Sequence, residues 1–472
     1  MSELRELDTG FRSVIRRLHQ ADRLMRVRSP VDPHLELSAF VKKLDGDLAF
    51  FFERVKGWEI PVCCNLLASQ KNALVGLGVD LQGLRAAVQR AIDRPIPLVE
   101  VEKGPCQEVV LTDGIDLGAK FPVPFHMPGD AGRFVTGGIV IAKDARSGVR
   151  NASFHRLQLL GGNRTGLKLD LGRHLRDLYE RSEDKDRKLE IAVVLGPDLS
   201  LFFAAASMGA HIPRGRDELE WASGLKGKPL EVVKCLTVDL EVPADSEIVL
   251  EGVLHPKERV EEGPFLEFVG LYAERGPSPV FEVRAVTHRE NPIYYDISGG
   301  EVRLIRKPLM EPGILGMVKA AVPIVQDICL TTGGLCRFHL VIQVKKERPA
   351  DEGLQRNAVF PAVAALKDLD LIILVDEDID PHDPEAVEWA VATRFNAEHD
   401  LILFPGARGH EYVPVSGGIR TKMVMDATVP PGELDRYRRV PMPEFDPSSY
   451  ETVVGKNAEI PPAHPVFEGG PL

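Results

Sequence analysis

Apolar residues recur at helical spacing in the first part of the chain and at strand spacing after it, and that switch divides the molecule. Phe11, Val14, Ile15 and Leu18 share one helical face behind Asp8 and Thr9, which mark a helix start. Residues 48–52 and 60–67 read as buried strands. Leu81, Leu84, Val88 and Ile92 form a second amphipathic stripe, ended by Pro95 and Pro97, since proline lacks an amide hydrogen and crowds the preceding turn. Residues 1–105 therefore read as an N-terminal α/β domain that packs or covers and carries no evident chemistry.

From about Val99 short β-rich runs take over, at 109–111, 135–142, 191–195, 230–240, 248–254 and 280–287, separated by Gly, Pro and Asp. Many short strands with turn signals between them predict a split β-barrel over 106–305, with helices inserted at 175–180 and 201–208. A linking helix is expected within 306–330. Beyond it, strands at 338–344, 371–375 and 401–404 alternate with helices at 357–367 and 384–395, which predicts parallel βαβ units in a C-terminal α/β domain, 331–472. The proline-rich tail after Asp426 reads as a surface wrap. The fold class is α/β plus β.

Composition narrows the function. At 472 residues, 44% hydrophobic and 27% charged, the chain is that of an ordinary globular protein with several domains. A net charge of −12 gives a nucleic-acid partner no electrostatic support. No run approaches a membrane span, and MSELRELDTG has no apolar signal core. Cys63, Cys64, Cys106, Cys235, Cys329 and Cys336 show no CxxC or finger spacing, which fits reduced thiols in the cytoplasm.

Against that background, 151–174 stands out. Asn151 and His174, both metal-capable, are expected at the two ends of a β-hairpin, with Arg156 between them among apolar neighbours. Glu218 reads either as a helix-start carboxylate or as a partner for them. Glu262 and Glu267 flank a Gly-Pro turn beside Phe265, Leu266, Phe268 and Val269; apolar surroundings raise a carboxyl pKa, so the pair reads as acid/base groups or as two surface carboxylates. The acidic residues Asp376, Glu377, Asp378 and Asp380 read as a solvated, helix-capping loop rather than a cation site. Ser416-Gly417-Gly418-Ile419-Arg420-Thr421-Lys422 offers a weak phosphate contact without P-loop spacing.

In order, the segments TGGIVIAKDARSGVRNASFHR, Arg173-His174, DELEWASGLKGKPLEVVKCLTVDLEVPADSEIVLEG, EEGPFLEFVG and SGGIRTKMVMDAT make the chain resemble the UbiD-type decarboxylases over about 100–430. That family includes ferulic acid decarboxylase and polyprenyl-hydroxybenzoate decarboxylase. The resemblance implies prenylated FMN, Mn²⁺ or another divalent cation, and K⁺. It implies Asn151, His174 and Glu218 as metal ligands, and Arg156, Glu262 and Glu267 as the catalytic set. Asn151, Ala152, Ser153, Phe154, His155, Arg156, Arg173, His174, Glu218 and Lys422 would hold the cofactor. The implied reaction is reversible non-oxidative decarboxylation through a covalent substrate–cofactor adduct, with Glu267 as proton donor. Aromatic or heteroaromatic acids are the expected substrates, with cinnamate-like acids next. A flavin prenyltransferase would supply the cofactor, and a homodimer or homohexamer is implied. Two departures bear on substrate: Leu266 stands where ferulic acid decarboxylase-like members have glycine, and Phe154-His155 differs from the expected pair. A flavin oxidoreductase or an accessory protein is the competing reading, distinguished by CO₂ release without an electron donor.

Overall fold

The computed structural model describes residues 6–44, 48–67, 69–207, 212, 215–298, 302–413 and 418–440, and the side chains of 302–306 are left aside. The Ser416-Gly417 turn, the tail beyond 440 and Met208 lie outside the described residues. The two N-terminal stripes form helices Phe11–Gln20 and Leu81–Asp93, burying Phe11, Val14 and Leu18 on one and Leu84, Ala87, Val88 and Ala91 on the other. The second starts under an Asp80 side chain that accepts the Gly83 N–H, a cap typically worth about 1 kcal/mol.

The N-terminal sheet runs Leu24–Val27, Ala49–Phe52, Val62–Cys64, and is completed by Tyr294–Asp296, far along the chain. Val99–Glu100 in turn pairs with Glu231–Lys234 of the next unit. The first two units are thus stitched together, and one apolar core runs through both, from Phe11 and Leu84 to Ile139, Phe202 and Trp221.

The central sheet has nine strands. Its path runs Phe134–Val135, Leu157–Gly161, Arg164–Leu167, Gly276–His288, Ile248–Glu262, Leu189–Leu195, Ile139–Lys143, Arg150–Phe154, with Val109–Leu111 beside Gly276–His288. The first and last strands of the path do not pair, so the sheet is an open half-barrel. Register shifts at Glu251/Gly252 and Leu254/Arg259 bend its two longest strands. Gly252 permits one of these bends, because a Cβ there would lie 2.0 Å from the Glu282 carbonyl oxygen. The apolar run 135–142 is two strands rather than one: a Cβ on Gly137 would lie 2.4 Å from the Tyr295 carbonyl oxygen, and the chain turns at that close approach.

The expected hairpin from Asn151 to His174 is resolved differently. Asn151 lies on Arg150–Phe154, which pairs with Ile139–Lys143; the hairpin is Leu157–Gly161 with Arg164–Leu167; His174 opens helix His174–Glu183. Glycine at 161 and 162, both with positive φ, makes the tight return.

Helix Val302–Ala321 links to a five-stranded sheet ordered Val325–Leu330, His339–Val344, Leu371–Asp376, Ile419–Ala427, Leu401–Arg408. The three inner strands are parallel, but only His339–Val344 and Leu371–Asp376 of them were expected; Ile419–Ala427 takes the third place, and the expected parallel strand at 401–404 is an edge strand antiparallel to its neighbour, as is the other edge. Their connections, 331–338 and 409–418, are too short for a crossover helix, so the chain returns alongside itself. The helix expected over 357–367 is two short ones, Leu354–Asn357 and Val359–Ala365. In the acidic loop Asp376 is buried and, with Asp378, accepts from Arg394 at 3.0 and 2.7 Å, while Glu377 and Asp380 are exposed, as a solvated loop requires. No helix among the described residues is long and apolar enough to cross a membrane, and the six cysteines are free.

Candidate active site

Strand Arg150–Phe154 and the turn after it carry two clusters in one short stretch. At the start of the strand, Asn151 Nδ2 donates to Glu218 Oε1 at 2.9 Å, and the Ala152 N–H donates to Glu218 Oε2 at 3.2 Å. His174 Nδ1 lies 3.9 Å from Glu218 Oε1. Glu218 is the first residue of helix Glu218–Lys226, held there by Asp217, whose side chain accepts the Leu219 and Glu220 N–H groups. Burial pushes the Glu218 carboxyl above its ordinary value, with His174 and Asn151 opposing. Among the described residues no lysine or arginine pairs with it; its partners there are an imidazole, an amide and a backbone N–H.

Just past the strand, Arg156 is gripped from both sides. Its Nε and Nη2 donate to Glu262 Oε1 and Oε2 at 2.7 and 3.0 Å, and its Nη1 pairs closely with Glu267 Oε1. Phe265 stacks under the guanidinium at 5.1 Å. Burial works against the arginine's charge, but Glu262 and then Glu267 outweigh it and hold its pKa above the ordinary value. The two carboxylates are not equivalent. Glu262, at the end of strand Ile248–Glu262, has a side chain 0% exposed and is bidentate; Glu267 is 13% exposed and singly bonded. Burial raises the Glu267 pKa; Arg156 opposes this, while Asp170 adds to it.

His155, expected only as one of the cofactor-holding residues, lies between the clusters. Its Nδ1 is 2.8 Å from the Lys168 carbonyl, which fixes the proton on Nδ1, and its Nε2 is 3.0 Å from Ser153 Oγ. Ser153 is in turn 3.2 Å from Asn151 Oδ1. Burial lowers the His155 pKa, so the ring is neutral and bridges the two halves through Ser153. Phe154 packs its ring on Phe202.

These groups line connected cavities. One, of about 210 Å³, is walled by Arg156, Glu267, Leu266, Phe268, Arg173 and Tyr412 among others. A second, of about 320 Å³, shares Ser153, Arg173 and Ala205 with it and is lined by Asn151, His174, Glu218 and Lys367. Arg173, the residue before helix His174–Glu183, therefore faces both.

Lys422 lies behind this wall rather than on it. It is buried, donating to the Lys367 carbonyl at 2.8 Å and to Asp370 at 3.1 Å. The lysine that reaches the cavity is Lys367, at the exit of helix Val359–Ala365, with its ammonium on Asp368 at 2.7 Å. Sequence reasoning missed it because it sits in an ordinary Leu-Lys-Asp run. It also missed Arg337, His410, Tyr412 and Asp170. Burial and then Arg337 push the His410 pKa down to about 3, and Tyr412 bonds closely to Asp170. Only the register of distant loops brings these together, and no local pattern marks them.

Comparison with known proteins agrees across the chain. Residues 15–92, 98–302 and 303–427 match the N-terminal, Rift-related and C-terminal domains of the 3-octaprenyl-4-hydroxybenzoate carboxy-lyase (UbiD) family. The chain is 35% identical to anhydromevalonate phosphate decarboxylase of Methanosarcina mazei, covering 92% of this chain and 99% of that protein. The UbiD-class enzyme HmfF from Pelotomaculum thermopropionicum, solved with FMN, superposes with a TM-score of 0.86 at 39% identity, over 93% of this chain and 100% of that one. An evolved dimeric form of HmfF is solved with prFMN. Klebsiella pneumoniae 3,4-dihydroxybenzoic acid decarboxylase (AroY) gives a TM-score of 0.83 at 30% identity, over 94% and 99% of the two chains.

Proposed function

Because the chain belongs to the UbiD family of carboxy-lyases, we propose that it decarboxylates an aromatic or heteroaromatic acid reversibly and without net oxidation, using prenylated FMN. The observation that carries this is Arg156, clamped bidentately by a buried Glu262 and singly by Glu267 at the wall of a cavity of mixed polar and apolar lining.

The residues present fit the cofactor and its ion. The oxygen of Asn151, the imidazole of His174 and the carboxylate of Glu218 make a mixed O/N set suited to a manganese-like divalent ion, and such an ion would give buried Glu218 a cation that no described lysine or arginine supplies. Arg173 and Lys367, on the same wall, would take the phosphate, and the backbone 151–156 would follow the flavin. Potassium would be the companion monovalent ion. Prenylated FMN, when bound, supplies the electron sink for the electrons released as CO₂ leaves.

The chain's own groups divide the remaining work. Glu262, fully buried and bidentate, fixes the plane of the Arg156 guanidinium, which then orients the substrate carboxylate. Glu267 keeps its proton more readily than an ordinary glutamate because it is buried, and it delivers that proton to the carbon that has lost CO₂. In the carboxylating direction the same carboxylate takes the proton back. Phe265, Phe268 and Tyr412 give an aromatic substrate flat surfaces, while Leu266 narrows the space beside Glu267. A homodimer or homohexamer and a flavin prenyltransferase as cofactor supplier belong to the same proposal.

A second reading is favoured by one observation. Arg173, Arg337 and Lys168 also line the substrate cavity, and the Methanosarcina relative is named for a phosphate-bearing substrate. Protein co-produced with a flavin prenyltransferase should release CO₂ anaerobically from an acid, and exchange deuterium into the product, without an electron donor. A panel of aromatic acids and phosphate-bearing unsaturated acids decides between the two substrates. Protein that retains neither modified flavin nor divalent metal sinks the proposal.

A further inference from the structure

A second set of metal-ligating side chains lies away from the active-site cavities. Glu311 on the linking helix Val302–Ala321, Cys329 on strand Val325–Leu330, and His382 in the loop before helix Pro384–Arg394 bring a carboxylate oxygen, a sulfur and an imidazole nitrogen within 4.8 Å of one another. Glu311 and Cys329 are buried, and His382 is partly so. From this convergence we propose a structural zinc-type site that pins the linking helix to the C-terminal domain.

The chemistry of the set supports a borderline-soft divalent ion. Cysteine, histidine and a carboxylate in one group are the ligands zinc takes, whereas magnesium and calcium take oxygens alone. The Asn151–His174–Glu218 group has no sulfur, so the two sites are chemically distinct. Tetrahedral Zn²⁺ needs ligand atoms about 2.0–2.3 Å from the ion, which small side-chain rotations supply from the observed spacing. Glu311 Oε1 accepts the Leu330 N–H at 3.0 Å, and Oε2 accepts from Arg85 at 3.3 Å. Each carboxylate oxygen has a second lone pair, so neither contact removes the group as a ligand. A cavity of about 310 Å³, lined also by Asp327 and Arg85, reaches the set at Glu311.

Charge balance follows the same logic. The flanking groups are Asp327, whose carboxylate holds His382 Nε2 at 3.1 Å, together with Lys307 beside Cys329 and Arg85 on Glu311. Zn²⁺ takes the neutral imidazole and the thiolate, so binding releases protons from the set. Asp327 then acts as the carboxylate that fixes the imidazole.

Cobalt titration of the purified, cofactor-loaded protein, after removal of adventitious metal, tests this directly. The expected result is one equivalent of Co²⁺ with a thiolate-to-cobalt charge-transfer band, displaced by one equivalent of Zn²⁺ with a rise in unfolding temperature. Cys329→Ser should abolish the band and His382→Gln should weaken it, with flavin and manganese content unchanged in both. A wild-type spectrum with no thiolate band overturns the site, as does a band that survives Cys329→Ser; the wild-type measurement stands even if a variant fails to fold.

Discussion

Two buried carboxylate clusters sit only a few residues apart along one strand and solve the problem of buried charge in opposite ways. Around Arg156 the counter-charge is part of the chain: one guanidinium serves Glu262 and Glu267, and the group closes on itself. Around Glu218, among the described residues, it is not: an amide, a backbone N–H and an imidazole 3.9 Å away leave the carboxylate's pKa raised by burial. A charge set closed by the chain is a preorganised tool, and one left open is a receptor for a cation from outside. Removing a member should therefore damage the first and relieve the second.

The sharpest break is at the shared cation. Arg156→Ala strands Glu262, whose side chain is fully buried, and breaking such a pair typically costs about 3–5 kcal/mol. Decarboxylation should fall to background and the denaturant midpoint should drop. If the midpoint holds, Glu262 has found another partner and the closed cluster is not what positions it.

Glu267→Gln tests the asymmetry within that cluster. It keeps size and polarity, and Glu262 still holds Arg156, so stability should change far less than in Arg156→Ala. Turnover should fall about 10²–10⁴-fold, the range for a positioned general acid, with flavin and metal content unchanged. The pH dependence has a defined sign. A carboxyl raised by burial holds its proton more tightly in the folded than in the unfolded state, so its contribution to stability is lost as pH rises from the unfolded value to the raised folded one. Proton delivery needs the acid form and is lost over the same rise. The alkaline limb of kcat/KM should have its midpoint above the ordinary value of 4.5, and a limb centred at or below it rules out Glu267 as the donor.

Glu218→Gln should act in the reverse sense. Bound divalent metal and flavin retention should fall, measured by metal analysis and absorbance after gel filtration. The metal-free variant should nevertheless unfold at a slightly higher temperature than metal-free wild type, because a buried carboxylate without a strong cation has gone. A lower temperature means that the cluster is closed by contacts within the chain, and the contrast with Arg156 fails.

How much of this was legible in the sequence follows the same division. Helix Phe11–Gln20, helix Leu81–Asp93 and strands His339–Val344 and Leu371–Asp376 of the last sheet were readable, because their periodicity is local, whereas Ile419–Ala427 was not, since its start reads as a glycine-rich turn. The antiparallel edge strands were not, since they depend on connection lengths and not on the strands themselves. Arg156, Glu262 and Glu267 were readable as a set only through the order of several motifs, and the structure brings all three into contact. Asn151, Glu218 and His174 also converge, but from a strand and two helix starts rather than from the ends of one hairpin. His155 could not be placed from its neighbours in sequence, because its partners are a carbonyl 13 residues on and a hydroxyl two residues back.

The smallest expected effect separates two lysines that sequence position alone confuses. Lys422 follows a glycine-rich turn and reads as a phosphate contact, yet its ammonium is buried on the Lys367 carbonyl and Asp370. Lys367 has a half-exposed side chain on the cavity wall beside Asn151, His174 and Glu218, and its ammonium rests on Asp368, which Arg337 also holds. Lys422→Met should thus cost about 1–3 kcal/mol of stability for the buried partners it abandons, with Arg420, 2.9 Å from Asp370, limiting the loss. Its flavin affinity should change only through that loosening. Lys367→Ala should leave the unfolding midpoint within about 1 kcal/mol, because an exposed ammonium contributes little, while flavin affinity falls several-fold. Fluorescence titration with FMN alongside denaturant unfolding reads both quantities on both variants. If Lys422→Met weakens FMN as strongly as Lys367→Ala without loss of stability, the phosphate contact belongs to Lys422 and the buried bonds seen here rearrange when the cofactor binds.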